Sequence, residues 1–493
     1  MMRLLAAATL TSALAGLAFR LDGGAYLAWL ALVPYLAAVV HERRVWRGAL
    51  AGAVAALGFG LAAFEGVAPV EPWAYPALVV LAAVPWALVG AGIVGTARRW
   101  GPPAGLAFAP VATAAAEFVV ARRAWMGDFA NGLMQWGYSQ DGTPWMQAAG
   151  WSGVTGLTLV VVGANAAWVA LAALRSTHGG TRTGHAAVVA AGAVLVVASA
   201  WLPVPGATVP DTERAPLRVG LIQGAVSSTD SLLARFDRAS ARAMIEPYAE
   251  LTRAAAERDA DLVVWGETAV PMPVRPGHVP DYVAEALAPA PVALVGGVAH
   301  AEGRSYNTVF HAEDGVLSEV YRKRALVPLV ERGYERGVRV PPLGVNGVPV
   351  GLGVCLDAVF GSLAREAVID GAGVLIYLTE DAFASTTITP RQHLRVASFR
   401  AVETGRPVVF VNQSGPSAAF GADGRSIETI PFGRSGGAVV DVQAHRGVTP
   451  YVRFGDVIGT AAVVATASLL ALSFFGGSGG PPGRGRRATP RDR

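Results

Sequence analysis

The sequence predicts an α-helical membrane bundle of about eight spans joined to a soluble α/β domain. The mean hydropathy of +0.42 and the charged fraction of 15% lie on the apolar side of what soluble globular chains show. The excess of apolar residues is concentrated before residue 204 and after residue 456. Between these limits, short apolar runs alternate with amphipathic segments, which is the pattern of a layered α/β fold.

This distribution divides the chain into four predicted segments. Residues 1–204 form a membrane domain of about seven helices, and residues 215–455 form the α/β domain. Residues 456–476 form the last transmembrane helix, and residues 477–493 form a basic tail. The net charge is +4, but no basic face is interleaved with aromatic residues, so we do not expect a nucleic-acid partner.

Eight apolar stretches have the length needed to cross a hydrocarbon core of roughly 30 Å, or nearly so. They lie at about 4–19, 24–40, 48–64, 74–97, 102–120, 152–174, 186–203 and 456–475. An alternative for the first is a cleaved signal peptide, since Arg3 precedes the apolar run. We disfavour it because further spans follow at once and no clear cleavage site is present.

Arginine placement predicts the orientation in the membrane. With the N-terminus inside, the loops that would face outside carry only Arg20, Arg122 and Arg123. The segments that would face inside carry many more, namely Arg3, Arg43, Arg44, Arg47, Arg98, Arg99, Arg175, Arg182 and the five arginines of the tail. This is a positive-inside bias, and it places the α/β domain on the extracytoplasmic side.

The long outside loop, 121–151, is rich in aromatic residues and glycine and poor in charge. Its aromatic residues include Trp125, Trp136, Tyr138 and Trp145. Two interpretations stay open. The loop is either an interfacial aromatic belt or an entrance for a lipid substrate at membrane level, with Arg122 or Arg123 near the lipid phosphate.

The α/β domain is predicted to contain the following elements in chain order. Strands are expected at 217–223, 262–265, 292–298, 307–312, 317–322, 348–354, 374–378 and 407–412, and helices at 238–258, 362–370 and 390–404. Pro247 predicts a kink or a break in the first helix. Helices between buried strands indicate parallel pairing, while the three successive strands in the middle indicate hairpins and therefore a mixed sheet.

The only cysteine of the chain, Cys355, ends one of these strands. A single cysteine cannot form a disulfide within its own chain, so it is either a small buried hydrophobe or a reactive thiol. Ligands usually bind beyond the carboxyl ends of the strands in open α/β sheets. The position of Cys355 after a buried strand therefore favours the reactive thiol.

Two other residues supply the groups that a thiolate nucleophile needs. Glu267 follows the strand 262–265 and offers a carboxylate base, and Lys323 follows the strand 317–322 and offers a cation. Each has an ordinary alternative, a solvated cap for Glu267 and a charged edge for Lys323. The eight histidines are scattered, and one cysteine leaves no zinc-site spacing, so no metal site is predicted.

The order Glu267, Lys323, Cys355 within one α/β domain resembles the nitrilase, or carbon–nitrogen hydrolase, superfamily. With seven spans before that domain and one after it, nearly the whole chain resembles the apolipoprotein N-acyltransferase family. The resemblance implies an α-β-β-α sandwich for residues 215–455. It also implies a bacterial cytoplasmic (inner) membrane location, with the catalytic domain on the extracytoplasmic side.

Three motifs carry this resemblance. YRKRALVPLVE, at 321–331, is similar to the lysine loop of the family, with Glu331 at the spacing of a second glutamate that would position Lys323 or line the site. The segment 392–407 is similar to the helix and strand after the nucleophile. The segment 449–456 is similar to the approach to the last span.

The chain also departs from the family pattern. Leu329 and Val330 stand where the family usually has phenylalanine and glycine, and Leu356 and Asp357 stand where it usually has tyrosine and glutamate. TEDAF, at 379–383, replaces a more usual asparagine-aspartate-alanine-tryptophan. Asp357 would partly replace the glutamate of the family.

The resemblance implies ping-pong acyl transfer without a metal or an organic cofactor. Cys355, its thiol pKa lowered by Lys323, would take an acyl chain from a membrane phospholipid. It would pass the chain to the α-amino group of the diacylglyceryl-cysteine of an apolipoprotein. Glu267 would act as the base, and Lys323 with a backbone N–H near Leu356 would stabilise the oxyanion.

Two other functions stay open at this point. One is a membrane-anchored, nitrilase-like amidase or hydrolase that uses the same three groups with water as the acceptor. The other is a catalytically silent scaffold that binds another envelope enzyme, which the departures at Val330, Leu356 and Asp357 would permit. Acyl transfer is the preferred hypothesis, because both of its substrates are anchored in the bilayer and would explain the spans.

Overall fold

The computed structural model describes residues 1–21, 23–127, 130–133, 135–271, 273–274, 279–328, 330–384 and 386–475. The predicted tail 477–493 and Leu329 therefore lie outside the described residues. Among the described residues, six helices are long and apolar enough to cross a membrane, and shorter apolar helices occupy Gly24–Val39 and Val457–Ser473. This agrees approximately with the expected eight spans and makes the chain a multi-pass membrane protein.

The membrane bundle precedes the α/β domain in the chain. Its helices are α1 (Met2–Arg20), α2 (Gly24–Ala28), α3 (Val33–Val39), α4 (Val45–Ala63), α5 (Ala74–Trp100), α6 (Pro102–Val120), α7 (Arg123–Met126), α8 (Ala149–Ala173) and α9 (Gly179–Trp201). Their buried faces are dominated by alanine, with larger residues such as Phe19, Tyr35 and Phe108 between them. Small residues at helix contacts let the backbones approach closely, which is typical of membrane bundles.

The expected span at 24–40 is not one continuous helix but two short ones, α2 and α3. Pro34 lies in the first turn of α3, where a missing N–H is tolerated. Asn165 of α8 crosses to the break, where its side chain accepts from the Leu32 N–H and donates to the Ala28 carbonyl, both at 2.9 Å. A buried amide thus satisfies backbone groups that the lipid cannot hydrogen-bond.

The α/β domain contains two six-stranded mixed sheets with the orders β12-β1-β2-β3-β4-β5 and β11-β10-β9-β8-β7-β6. The strands are β1 (Leu217–Gln223), β2 (Leu262–Trp265), β3 (Val292–Ala301), β4 (Arg304–Glu313), β5 (Val316–Arg322), β6 (Leu343–Val345), β7 (Val348–Val354), β8 (Val374–Thr379), β9 (Val408–Asn412), β10 (Ser417–Phe420), β11 (Ser426–Ile430) and β12 (Gly436–Val442). In the first sheet β1, β2 and β3 run parallel, and in the second β7, β8 and β9 do.

Helices cover the outer face of each sheet. The helices of the α/β domain are α10 (Ser228–Ala234), α11 (Arg238–Ala256), α12 (Asp281–Leu287), α13 (Gly361–Ile369) and α14 (Thr389–Thr404). The short helix α15 (Pro450–Phe454) and the last apolar helix, α16 (Val457–Phe475), follow the domain in the chain. Side chains such as Leu221, Val350 and Val409 form one apolar core between the sheets. Separate cores lie under α11 and α12 and under α13 and α14. The α-β-β-α sandwich is therefore confirmed.

Two predictions about elements of this domain need correction. Helix α11 runs through Pro247 as one helix from Arg238 to Ala256, so of the two alternatives expected there, a kink or a break, the break is wrong. The sequence patterns also predict no strands between residues 417 and 442, whereas the structure has β10, β11 and β12 there. Strand β12 pairs with β1 in antiparallel register from Leu217 with Val442 to Gln223 with Gly436, a contact across the whole domain that no local pattern indicates.

Candidate active site

Cys355 lies where β7 ends and a short 3₁₀-helix, 355–359, begins. Its φ angle is +49°, in the left-handed region that residues other than glycine seldom occupy. The residue is 7% exposed. A strained, buried turn of this kind persists only when surrounding structure holds it.

Glu267 reaches the same place from the other sheet. It follows β2 after Gly266, where a Cβ would lie only 2.5 Å from the Gln413 backbone nitrogen. The Glu267 N–H donates to the Thr379 carbonyl at 3.1 Å. Glycine thus lets the carboxyl end of β2 approach those of β8 and β9, and the two sheets present their catalytic candidates to one site.

Lys323 lies between two carboxylates. Its Nζ is 2.9 Å from Glu267 Oε1 and 2.9 Å from Glu331 Oε1, and the residue is 1% exposed. The second oxygen of Glu331 accepts from the Val327 N–H at 2.7 Å. The structure therefore brings Glu267, Lys323 and Glu331 into one buried charged cluster.

Asn307 completes this cluster, and the sequence reasoning missed it. Its Nδ2 donates to Glu267 Oε1 at 2.6 Å and to Glu331 Oε1 at 3.0 Å. Its carbonyl accepts from the Lys323 N–H at 2.8 Å. The asparagine lies in mid-strand β4, opposite the end of β5, and only its antiparallel pairing brings it there.

A second missed signal is compositional. Lys323 is the only lysine among the 40 lysine and arginine residues of the chain. Arginine has a broad planar fork, whereas lysine is a compact point charge. At this buried position one nitrogen contacts two carboxylates, and the compact ammonium of lysine suits that geometry. This explains why a chain that otherwise uses arginine has lysine here.

The thiol is not acidified in the resting structure, contrary to expectation. Burial and the nearby Glu267 carboxylate raise the pKa of Cys355 well above its usual range, while Lys323 acts in the opposite direction without outweighing them. Burial also raises the pKa of Glu267, although Lys323 opposes it. Cys355 is therefore a neutral thiol beside a carboxylate that is a stronger base than an ordinary glutamate.

Asp357 joins the nucleophile turn to the lysine loop. It is 1% exposed, and it accepts from the Val354 N–H at 3.0 Å, the Ala325 N–H at 2.7 Å and the Tyr321 hydroxyl at 2.9 Å. These bonds tie the residues before Cys355 to the residues after Lys323. The shorter acid at this position thus holds two segments of the site in register.

Cys355 lines an apolar cleft of about 1040 Å³, a volume that includes space open to solvent. The membrane bundle contributes one wall and the α/β domain another. Its lining includes Phe64, Val67, Leu78, Val330, Leu356 and Phe383. A cleft shared by the two domains suits a long apolar substrate that reaches the thiol from the membrane side.

The aromatic loop before α8 does not form a simple belt. Trp136 and Tyr138 are each 1% exposed and pack in the core of the bundle, whereas Trp125 is 62% exposed. Arg122 pairs with Asp456 at 3.0 Å, and Arg123 donates to the Arg324 carbonyl at 2.8 Å. These arginines thus join the bundle to other segments of the chain.

Comparison with known proteins agrees with the two-part architecture. Residues 11–167 match the family model of the apolipoprotein N-acyltransferase N-terminal domain, and residues 218–450 match that of carbon-nitrogen hydrolase. Both parts of the chain are thus similar to the corresponding parts of apolipoprotein N-acyltransferases. Among the described residues, no group of three or more histidine, cysteine, aspartate or glutamate side chains could hold a metal ion.

Individual apolipoprotein N-acyltransferases are moderately similar to this chain in sequence. The apolipoprotein N-acyltransferase of Gloeobacter violaceus is 29% identical over 517 residues, covering 96% of this chain and 94% of its own. That of Bordetella bronchiseptica is 27% identical over 369 residues, covering 64% of this chain and 66% of its own. A solved nitrilase-superfamily amidase from Nesterenkonia is 18% identical and covers 48% of this chain and 93% of its own, with a TM-score of 0.35.

We expect Lys323→Met to destabilise the protein by about 3–5 kcal/mol, because it leaves two buried carboxylates without their counter-ion. Unfolding in detergent, followed by tryptophan fluorescence, measures the loss. The loss of stability should shrink as the pH falls, because protonation removes the uncompensated charge of the buried Glu267 carboxylate, whose pKa burial raises.

The neighbouring Arg322→Met is the control for this substitution. Arg322 pairs with Glu319 near the surface, and exposed pairs contribute only about 0–1 kcal/mol. Equal destabilisation by the two substitutions would show that the Lys323 cluster is not a tightly coupled buried unit.

Proposed function

We propose that this protein moves a fatty acyl chain from a membrane phospholipid, through a thioester on Cys355, to the N-terminal diacylglyceryl-cysteine of lipoproteins. One observation carries the proposal: Cys355, which interacts electrostatically with the buried pair of Glu267 and Lys323, lines an apolar cleft that the membrane helices and the α/β domain share. The relatives are named apolipoprotein N-acyltransferases, which supports the same activity here.

In the first half-reaction Glu267 takes the thiol proton of Cys355. The sulfur then bonds to the ester carbonyl carbon of the phospholipid, and the carbonyl π electrons move onto its oxygen. Lys323 stays protonated and adjoins this negative charge. Burial alone would lower the pKa of Lys323, but Cys355 and the carboxylates of Glu267 and Glu331 raise that pKa well above the usual range. When the oxyanion collapses, the ester C–O bond breaks and Glu267 returns the proton to the leaving lysophospholipid oxygen.

In the second half-reaction the α-amino group of the acceptor attacks the thioester. Glu267 accepts a proton from the nitrogen, the C–S bond breaks, and the thiol of Cys355 is restored with the proton from Glu267. The sum is transfer of one acyl group from oxygen to nitrogen. Glu331 and Asn307 hold Lys323 and Glu267 in place throughout, through the bonds described above.

A nitrilase-like hydrolase is the second candidate, since the same three groups could act with water. The apolar cleft opposes it, because exclusion of water protects the thioester until the amine arrives. The two functions separate in one assay of the purified protein with phospholipid, with and without a diacylglyceryl lipopeptide. Acyl transfer requires lipopeptide acylation with little free fatty acid, whereas hydrolysis would release fatty acid in both samples.

The activity in cells is tested by mass spectrometry of a lipoprotein N-terminus, with and without this gene. We expect a gain of one amide-linked acyl chain only when the gene is present. An unchanged N-terminus, together with failure of Cys355 to react with an activated acyl probe, would favour the silent scaffold instead.

We further propose that the protein lies in the bacterial cytoplasmic membrane with the α/β domain on the extracytoplasmic side, as the arginine distribution supports. Alkaline phosphatase fused after Gly206 should then be active, and the same enzyme fused after Gly477 should be inactive. Green fluorescent protein at the two positions provides the reciprocal control. Phosphatase activity at Gly477 would contradict the expected number of eight spans.

A further inference from the structure

A chain of buried hydrogen bonds reaches the backbone of Cys355 and has no part in the mechanism given above. His393 Nε2 lies 3.0 Å from the Cys355 carbonyl oxygen, and His393 Nδ1 lies 3.2 Å from both carboxylate oxygens of Asp381. Asn412 Nδ2 donates to Asp381 Oδ2 at 2.6 Å. His393 is 4% exposed and Asp381 is 2% exposed.

The fold explains why these residues converge. Cys355, Asp381 and Asn412 follow or end the adjacent parallel strands β7, β8 and β9, whose carboxyl ends meet at one edge. His393 lies one turn into α14, the helix that connects β8 to β9. Its ring packs edge-on against Phe410 with the centroids 5.0 Å apart, which fixes its orientation.

The partners of His393 determine its protons. A carbonyl oxygen only accepts hydrogen bonds, so Nε2 carries a proton, and a carboxylate only accepts, so Nδ1 carries one too. Burial alone would lower the pKa of His393, but Asp381 and the Cys355 carbonyl outweigh burial and raise it. The geometry therefore favours a ring that donates from Nε2 to the Cys355 carbonyl and from Nδ1 to Asp381.

The bond from His393 also sets the direction of a neighbouring donor. The Cys355 carbonyl and the Leu356 N–H belong to one planar trans peptide unit, in which they point in opposite directions. Leu356 lies in the first turn of the 3₁₀-helix, where N–H groups have no carbonyl partner within the helix. Fixing the carbonyl toward His393 therefore fixes the Leu356 N–H away from it.

We propose that His393, held by Asp381, is a positioning residue that aims the Leu356 N–H at the oxyanion. The inference rests on Cys355 being acylated, as proposed above. When the thiolate bonds to an ester carbonyl carbon, the π electron pair moves onto the carbonyl oxygen, and the Leu356 N–H donates to that oxygen. Preorganised donors of this kind act where negative charge develops in the transition state.

Two substitutions of His393 separate its two hydrogen bonds. The amide nitrogen of glutamine in His393→Gln can stand near the position of Nε2 and keep the bond to the Cys355 carbonyl. The shorter asparagine in His393→Asn can stand near Nδ1, keep a bond to Asp381 and lose the bond to Cys355. Asp381→Asn, which keeps the shape of the support but removes its charge, is a third variant in case one of the others does not fold.

The full-length proteins in detergent are compared by two reactions of Cys355. The first is the burst of nitrophenol as p-nitrophenyl hexanoate acylates the thiol, a reaction that forms a tetrahedral oxyanion whether or not a phospholipid is the natural donor. The second is alkylation by iodoacetamide, which displaces iodide at a saturated carbon and forms no oxyanion. The ratio of the two rates isolates oxyanion stabilisation from thiol exposure, thiol acidity and correct folding.

We expect His393→Asn to lower the acylation rate about 100-fold or more, the size of losing one oxyanion donor, and His393→Gln to stay within about tenfold of the unsubstituted protein. Asp381→Asn should fall between them. Alkylation should change less than about threefold in all three, because the thiol itself is untouched.

Equal acylation in the Asn and Gln variants, absence of a burst in every protein, or a parallel fall in alkylation would each overturn the role of His393. The proposed function fails by a separate result. An unsubstituted protein that reacts with p-nitrophenyl hexanoate but never takes an acyl chain from phospholipid would contradict phospholipid transfer and leave the comparison of variants intact.

Discussion

We expect lipoprotein N-acylation to be lost in cells whose only copy of this protein carries Cys355→Ala, and the purified variant to form no thioester with phospholipid. Without the sulfur there is nothing to hold the acyl chain between donor and acceptor, and losing a covalent nucleophile costs on the order of 10⁶-fold in rate. The variant should still fold, since removing one small buried group lowers the free energy of unfolding by only about 1 kcal/mol. Mass spectrometry of the lipoprotein N-terminus measures the activity, and immunoblotting of membranes measures the amount of protein.

Ser362→Ala is the matched control, because it removes one small polar atom from the helix that follows the nucleophile turn. It should acylate lipoproteins normally. Cys355→Ser should be as inactive as Cys355→Ala, because Glu267 is too weak a base to ionise a hydroxyl that the site buries. Full N-acylation by Cys355→Ala, at normal protein level and in the absence of any other acyltransferase, would remove the thioester from the mechanism.

The second large effect is expected for Glu267→Gln, which should lower the rate of acyl-enzyme formation about 10²–10⁴-fold, the usual contribution of a general base. The amide has nearly the same shape and can still accept from Asn307 and Lys323, so the cluster should remain folded. Because the thiol pKa is raised by burial, removal of the base leaves Cys355 protonated. No thioester should accumulate in single-turnover experiments with labelled phospholipid.

The pH dependence provides a sharper check of this base. Glu267 must be ionised to take the thiol proton, and its pKa is raised. The acylation rate should therefore fall with decreasing pH through that raised pKa, at a higher pH than for an ordinary glutamate, and this limb should be absent in Glu267→Gln. Glu319→Gln, an exposed glutamate on β5, is the control and should keep the limb. A thioester trapped in Glu267→Gln would show that another group ionises the thiol.

Much of this site could be predicted because local sequence carries it. Buried strands ending at Trp265 and Val354 are visible as short apolar runs, and the chemistry of Glu267 and Cys355 depends on residue type just beyond a strand end. The spacing from Lys323 to Glu331 lies within one loop, so it too is a local property. The apolar stretches determined the membrane spans for the same reason, since a hydrocarbon core requires continuous apolar length.

Tertiary structure alone decided which groups meet and in what protonation state. Asn307 and His393 look like ordinary polar residues of a strand and a helix, and only sheet pairing and helix packing place them against Glu267 and Cys355. The expected acidic thiol was wrong because a pKa depends on burial and on all nearby charges together, and neither can be read from the order Glu267, Lys323, Cys355. The sequence by itself determined the chemical groups and the spans, whereas the long-range packing of two sheets and a membrane bundle decided the cleft, the buried charge cluster and the direction of the backbone at the nucleophile.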